Sequence, residues 1–306
     1  MSVLTLPALD GRTPLGFLAA LGLTRLLDVH TDDSPRLSWS TDDYAARLHT
    51  TRGSIDDVVA DLRGIVDSIP ADGVLPGVPV NLPPPGEAPD QLRLPPVALR
   101  ALASELAPEP DAEIDAWLGS LVTDLSLDEK SRSDISMMAA PSGKQSMRTM
   151  LEKPLKLVRE DPACISEALV GWRRRKGVSG EYLDHRVLFD AADSGAGKSE
   201  ERGVPGATWL ALMSYPLLRT TASGSEPITT GWHRQRRQPS LFVYPLWAAP
   251  LDCHAVTALL EHPMMQQCVR GELPAAAKVL SIFTVRRAQR RRIPGRTFAG
   301  VLGPVS

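Results

Sequence analysis

The groups that could do chemistry in this chain are six histidines, three cysteines and several arginine runs, two of them beside a tryptophan. Gly195-Ala196-Gly197-Lys198-Ser199 comes nearest to a phosphate-cradling loop. Such a loop needs Gly-x-x-x-x-Gly-Lys-Ser/Thr between a strand and a helix. Its first glycine would fall at Ala192, and Glu200 and Glu201 would follow where phosphates should sit, so the segment reads as a surface loop. His30, His49, His185, His233, His254 and His262 show no metal-ligand spacing, and Cys164, Cys253 and Cys268 form no Cys-x-x-Cys pair. No cofactor is expected. Asp184-His185-Arg186 is the best acid–base arrangement. It leaves open a hydrolase or nuclease that uses His185 with Asp184 and Asp190, although a polar loop pair is the plainer reading.

The basic clusters are the stronger lead. Arg173, Arg174, Arg175 and Lys176 follow Trp172, while Arg234, Arg236 and Arg237 follow Trp232. Arg286, Arg287, Arg290, Arg291 and Arg292 form a third cluster. Guanidinium groups fork onto phosphates, and an indole such as Trp232 stacks on an unpaired base. The third cluster is expected on a helix, where Arg286/Arg290 and Arg287/Arg291 are i,i+4 pairs on one side that repel unless an anion or carboxylate accepts them.

These elements sit in a chain of 306 residues with net charge -2. That balance hides a split. Residues 1–130 carry nine basic and 21 acidic groups, a net of −12, and residues 131–306 carry +10. The split suggests an acidic N-terminal part for protein partners and a basic C-terminal part for a polyanion. With 43% hydrophobic residues the chain folds, and no run approaches the ~18 apolar residues of a membrane span. The first ten residues lack a basic signal-peptide region, and three cysteines, which cannot all pair and support no disulfide framework, suit a reducing cytoplasm.

Thr13-Pro14 reads as an N-cap and first helical position, opening a helix with Leu15, Leu18, Ala19, Gly22 and Leu26 on one face. Gly16 and Gly22 in that helix imply close backbone contacts. Arg36–Ser40 alternates like a strand, and Ile55–Ile69 is an amphipathic helix with Val58, Val59, Leu62, Ile65 and Val66 inward. Residues 70–96 hold nine of the 27 prolines and read as an extended loop or linker. Further helices are expected at Val97–Leu106, Ile114–Leu125, Lys144–Leu157 (interrupted by Pro154), Ile165–Trp172, Thr208–Leu217, His254–Glu261 and Ala275–Arg292. Val187–Asp190 and Leu241–Tyr244 read as strands, and Met137, Met138, Met147 and Met150 as core filler. Without regular strand–helix alternation, the expected fold is α+β: helix-rich, with short strands and long Pro/Gly-rich loops. Its two parts meet near residue 130.

Leu9–Leu27 (LDGRTPLGFLAALGLTRLL) resembles the opening of proteins encoded in type I CRISPR loci, notably the type I-G branch (formerly I-U). Ser142–Ser146, Asp184–Asp190, Pro205–Pro216, Tyr244–Trp247 and Pro250-Leu251 are similar in order to segments of those proteins. The resemblance implies a non-catalytic, large-subunit-like or auxiliary component of a Cascade-type antiviral complex. Such a component contacts guide RNA or target DNA, other Cascade subunits and a helicase–nuclease. Guide pairing reads the sequence in such complexes, and protein reads duplex shape and the flanking motif. No motif-reading residue carries over to a position here, and the chain is short for a large subunit. An adaptor with an acidic docking part is the remaining alternative.

Overall fold

A computed structural model describes residues 1–86, 90–139, 145–187, 201–292 and 300–305. The fold is α+β, with ten α-helices and several small antiparallel sheets among those residues. β1 (Ser2–Asp10), β2 (Arg36–Trp39) and β3 (Ala45–Thr50) form a sheet of order β1-β3-β2. α1 (Pro14–His30) starts as its sequence dictates: the Thr13 hydroxyl accepts from the Gly16 amide at 3.1 Å, and Pro14 needs no partner at the first position. Every residue from Pro14 to Leu27 is buried, so α1 is a central helix rather than one with a single buried face. α2 (Ile55–Ser68) buries the stripe that its periodicity predicts, under a Ser54 cap.

Three expectations change in the middle of the chain. α3 (Pro96–Leu106) is followed by α4 (Ala112–Leu121), which stops before Leu125; Val122–Leu127 is instead strand β4, paired with β5 (Ser133–Ile135). Val122 and Thr123 are β-branched and lose rotamer freedom in a helix, so a pairing partner tips them to strand. The proline-rich stretch is not a linker, because Val74, Leu75, Val78, Leu82 and Leu92 are buried in the main core. Its carbonyls are met by arginines of α5 (Met147–Glu160). Arg148 donates to the oxygens of Val80 (2.7 Å) and Pro83 (2.9 Å), and Arg159 to those of Ile69 (2.7 Å) and Pro70 (2.9 Å). Proline-rich backbone cannot build a ladder of its own, so side-chain donors complete it. α5 itself runs through Pro154, which turns its ring inward and is buried.

α6 (Ala163–Val170) leads to a two-residue ladder of β6 (Arg175–Lys176) and β7 (Arg202–Gly203). α7 (Pro205–Met213) follows and is buried on all sides. β8 (Thr220–Ser223) and β9 (Glu226–Thr229) form a hairpin. Then come β10 (Trp232–Gln235), β11 (Gln238–Trp247) and α8 (Cys253–Glu261), with short helices α9 (Met264–Gln267) and α10 (Ala275–Val279). β12 (Ile282–Arg292) and β13 (Gly300–Val305) complete a four-stranded sheet of order β10-β11-β12-β13. The expected helix over Ala275–Arg292 therefore gives way after Val279. Ser281 takes a left-handed φ of 57°, and Ile282-Phe283-Thr284-Val285 is a β-branched and aromatic run. β11 on one side and β13 on the other supply the pairing that holds the arginines extended.

One buried core takes in residues from both sides of position 130. α1 and α7 touch backbone to backbone: a Cβ on Gly22 would lie 1.7 Å from the Leu210 carbonyl oxygen. Phe17 of α1 stacks on Tyr244 of β11, with ring centroids 4.3 Å apart, and meets Trp39 and Trp247 at 5.8 and 6.2 Å. The Trp247 indole donates to the Leu37 carbonyl at 2.7 Å. Arg25, buried in α1, pairs with Glu113 of α4, which also accepts from the Trp117 indole at 2.9 Å. Met138, Met147 and Met150 are core residues, and Met137 packs against them half-buried.

Candidate nucleic-acid interface

On strand β12 the arginines alternate between two faces of the sheet. Arg286 and Arg290 share one face, and Arg287 and Arg291 the other, so the same-face pairs expected of a helix persist for a different reason. Four strand residues span about 13 Å rather than one helical turn, which removes most of the repulsion within each pair.

The two faces differ in use. Arg290 is enclosed. It donates to the carbonyls of Met138 and Ala139, both at 3.0 Å, and its guanidinium carbon lies 5.9 Å from the Trp232 ring centroid. Burial pulls its pKa down to about 10, which leaves it charged at neutral pH. Arg286 lies over the Tyr44 ring at 5.6 Å. On the opposite face Arg287 reaches toward the Val269 carbonyl at 3.4 Å, and Arg291 is exposed and donates to the Pro304 carbonyl at 2.6 Å. Arg292 is exposed and makes no ion pair among the described residues.

The second cluster lies on β10 and the β10–β11 turn. Trp232 is buried, its indole against the Met138 sulfur at 3.0 Å and its ring beside Phe242, so it offers no face to a base. Arg234 pairs with Glu226 and donates to the Pro227 carbonyl at 2.9 Å. Arg236 and Arg237 sit at the turn, exposed and without an ion pair among the described residues; Arg237 has a left-handed φ of 63°. In the β11–β12 register Leu241 faces Gln289, and the Gln289 amide reaches the Pro239 carbonyl at 3.4 Å. The last residues of β12 therefore run alongside the turn. Arg236 and Arg237 on one strand pair, and Arg291 and Arg292 on its neighbour, gather at one end of the sheet.

The first cluster is mostly occupied by carboxylates. Arg173 faces Glu167 at 3.7 Å, and Arg175 binds Asp161 at 2.7 Å and Glu167 at 3.0 Å. Arg174 pairs with the buried Asp184 at 2.5 Å and donates to the Arg202 carbonyl at 3.0 Å. Lys176 is exposed. Trp172 donates its indole N–H to the Ala168 carbonyl at 3.1 Å and packs half-buried on the core. The cluster touches the sheet through His185, since a Cβ on Gly303 of β13 would lie 2.9 Å from the His185 Cβ and 3.9 Å from the Arg291 Cδ.

The surroundings of His185 favour its neutral form. Burial lowers its pKa first, Asp184 opposes this, and Arg186, Arg291 and Arg174 lower it further. Its Nδ1 stands 3.8 Å from Asp184, whose other oxygen binds Arg174. Asp190, Lys144 and Gly195–Ser199 lie outside the described residues, as does most of the strand expected over Val187–Asp190. Among the described residues no group of three or more His, Cys, Asp or Glu could hold a metal ion, and no helix is long and apolar enough to cross a membrane.

A second site carries no motif. A cavity of about 460 Å³ opens between α5 and residues 177–182. Gly180, Glu181 and Tyr182 all take left-handed backbone, with φ of 56°, 48° and 58°. Two consecutive non-glycine residues in that region cost of order 1–3 kcal/mol each. The turn places Glu181, 3% exposed, in the cavity wall. Burial raises its pKa to about 7; Lys153 and the Ser179 hydroxyl oppose the rise and Glu201 adds to it. Only the Ser179-Gly180 step hints at a turn here, and the buried carboxylate has no sequence signal.

No protein-family model matches the chain, and no curated protein matches it.

Proposed function

We propose that this chain is a non-catalytic nucleic-acid-binding protein that grips phosphates with one end of the β10–β13 sheet. The observation that carries this reading is the gathering of Arg236, Arg237, Arg291 and Arg292 there. Arg236, Arg237 and Arg292 are exposed without a carboxylate partner among the described residues. Guanidinium groups without a carboxylate partner have no ion pair to break before meeting phosphate, and each phosphate they neutralise releases counterions. The other arginines of the three clusters shape the site. Arg174 and Arg175 fix the β6–β7 segment through Asp184, Asp161 and Glu167, and Arg290 ties β12 to residues 138–139.

The likeness of Leu9–Leu27 and the later segments to type I CRISPR proteins suggests the setting. The chain would contact guide RNA or target DNA within a Cascade-like complex, and its acidic N-terminal part would face other subunits or a helicase–nuclease. Charge reversal at the turn tests the binding role. Arg236→Glu with Arg237→Glu should reduce affinity for a short RNA or DNA at least tenfold in fluorescence anisotropy. Unchanged affinity in the folded double variant would remove the proposed interface.

A further inference from the structure

The cavity beside Glu181 shares no lining residue with the arginine end of the sheet. Its walls combine two kinds of surface. Pro154, Leu157, Val178 and Tyr182 supply apolar area, and the Tyr182 hydroxyl is held by Glu201 at 3.3 Å. Against this stand two polar atoms that are buried and make no hydrogen bond among the described residues: Glu181 Oε2, an acceptor, and Gln145 Nε2, a donor. Among the described residues Glu181 Oε1 has only a long contact from the Ser179 hydroxyl, at 3.5 Å. Buried polar atoms left unpaired are costly, so an acceptor and a donor on residues that line one cavity describe the ligand that would satisfy both. The strained backbone from Gly180 to Tyr182 is what brings the carboxylate there.

We infer that this cavity binds a single unpaired guanine base, with its N–H groups donating to Glu181 and its carbonyl oxygen accepting from Gln145. Guanine's Watson–Crick edge presents two adjacent donors beside one acceptor. A carboxylate takes the donors, and a side-chain amide takes the acceptor. Uracil and thymine present a single donor between two acceptors, and adenine has no carbonyl. About 460 Å³ exceeds what one base needs and leaves room for its ribose. Lys153 and Lys156 line the cavity toward solvent, where the nucleotide phosphate would emerge. Glu160 and Glu201 line it too, and Lys156 is 3.9 Å from Glu160. The lining is thus nearly balanced in charge, which suits selection by base rather than general capture of phosphate. The inference deepens the nucleic-acid reading and rests on it: a captured base would fix the register of a strand that the arginine end holds without sequence preference.

The test is calorimetric titration of the full chain with GMP, UMP and agmatine. GMP should bind at least tenfold more tightly than UMP or agmatine. Glu181→Gln and Gln145→Ala should each remove most of that preference while retaining a cooperative unfolding transition. Equal binding of GMP and UMP, no binding of either, or tighter binding of agmatine overturns the inference. So does a GMP preference that survives Glu181→Gln. A chain that holds short RNA but not GMP keeps the arginine interface and loses the guanine pocket. One that selects GMP but holds no RNA keeps the pocket and loses the interface.

Discussion

Arg290 covers the Trp232 ring at 5.9 Å while donating to the carbonyls of Met138 and Ala139. Two residue types suited to gripping nucleic acid are here partners of each other, the indole buried and the guanidinium half-buried over it. The pair joins β12, β10 and the segment before α5.

Removing Arg290 should therefore unfold rather than unbind. Arg290→Ala leaves the Ala139 carbonyl without its donor, while Met138 keeps the Tyr215 hydroxyl at 3.2 Å, and it opens space over the indole, so a loss of about 1–3 kcal/mol in urea unfolding is expected. Arg292→Ala, at an exposed position two residues on, should stay within about 0.5 kcal/mol. Equal effects at the two positions would contradict the division between structural and surface arginines.

Two glycines in helices should respond in opposite directions. A methyl group at Gly22 meets the Leu210 carbonyl at 1.7 Å, and backbone on backbone has nowhere to yield. Gly22→Ala should cost about 3 kcal/mol or more by forcing α1 and α7 apart. At Gly64, exposed on α2 with nothing within 4 Å, alanine should stabilise by about 0.5–1 kcal/mol through helix propensity. Thermal melts of both variants check the pair.

Glu181 makes stability pH-dependent in a direction unusual for a carboxylate. Its folded pKa, about 7, lies above the ordinary 4.5, so the native state holds a proton that the unfolded chain has released. The contribution is fully present below pH 4.5 and fades as pH rises through 7, by at most about 3 kcal/mol. Lys153 tempers the effect, and Glu201 strengthens it. Glu181→Gln should flatten the unfolding free energy between pH 5 and 8 relative to wild type, in urea titrations across that range. A wild-type chain that gains stability over this window as strongly as the variant would contradict the assignment.

How much of this was legible in the sequence depends on what decided each element. Thr13-Pro14 and Ser54 cap the helices they precede because capping is local chemistry. The stripe from Val58 to Val66 faces the core for the same kind of reason. Residues 282–292 were not legible: arginine is compatible with helix or strand, and pairing with β11 and β13 made the choice. The proline-rich stretch hid its burial because its partners, Arg148 and Arg159, come from a helix beyond residue 146. The clusters were visible as charge. Which arginines stay free depended on distant carboxylates: Asp184 for Arg174, Asp161 for Arg175 and Glu226 for Arg234. Glu181 gave no signal, since its character comes from burial and backbone rather than from its neighbours in sequence.

The most direct measurement of the central claim is the salt dependence of RNA binding by the wild type and by a variant carrying Arg236→Ala, Arg237→Ala and Arg292→Ala. Removing one arginine–phosphate pair should lower the slope of log affinity against log salt by about 0.7 for a single strand. The account predicts a slope shallower by roughly 2 in the folded triple variant. An unchanged slope, with wild-type affinity at every salt concentration, would contradict the placement of the nucleic-acid interface at this end of the sheet.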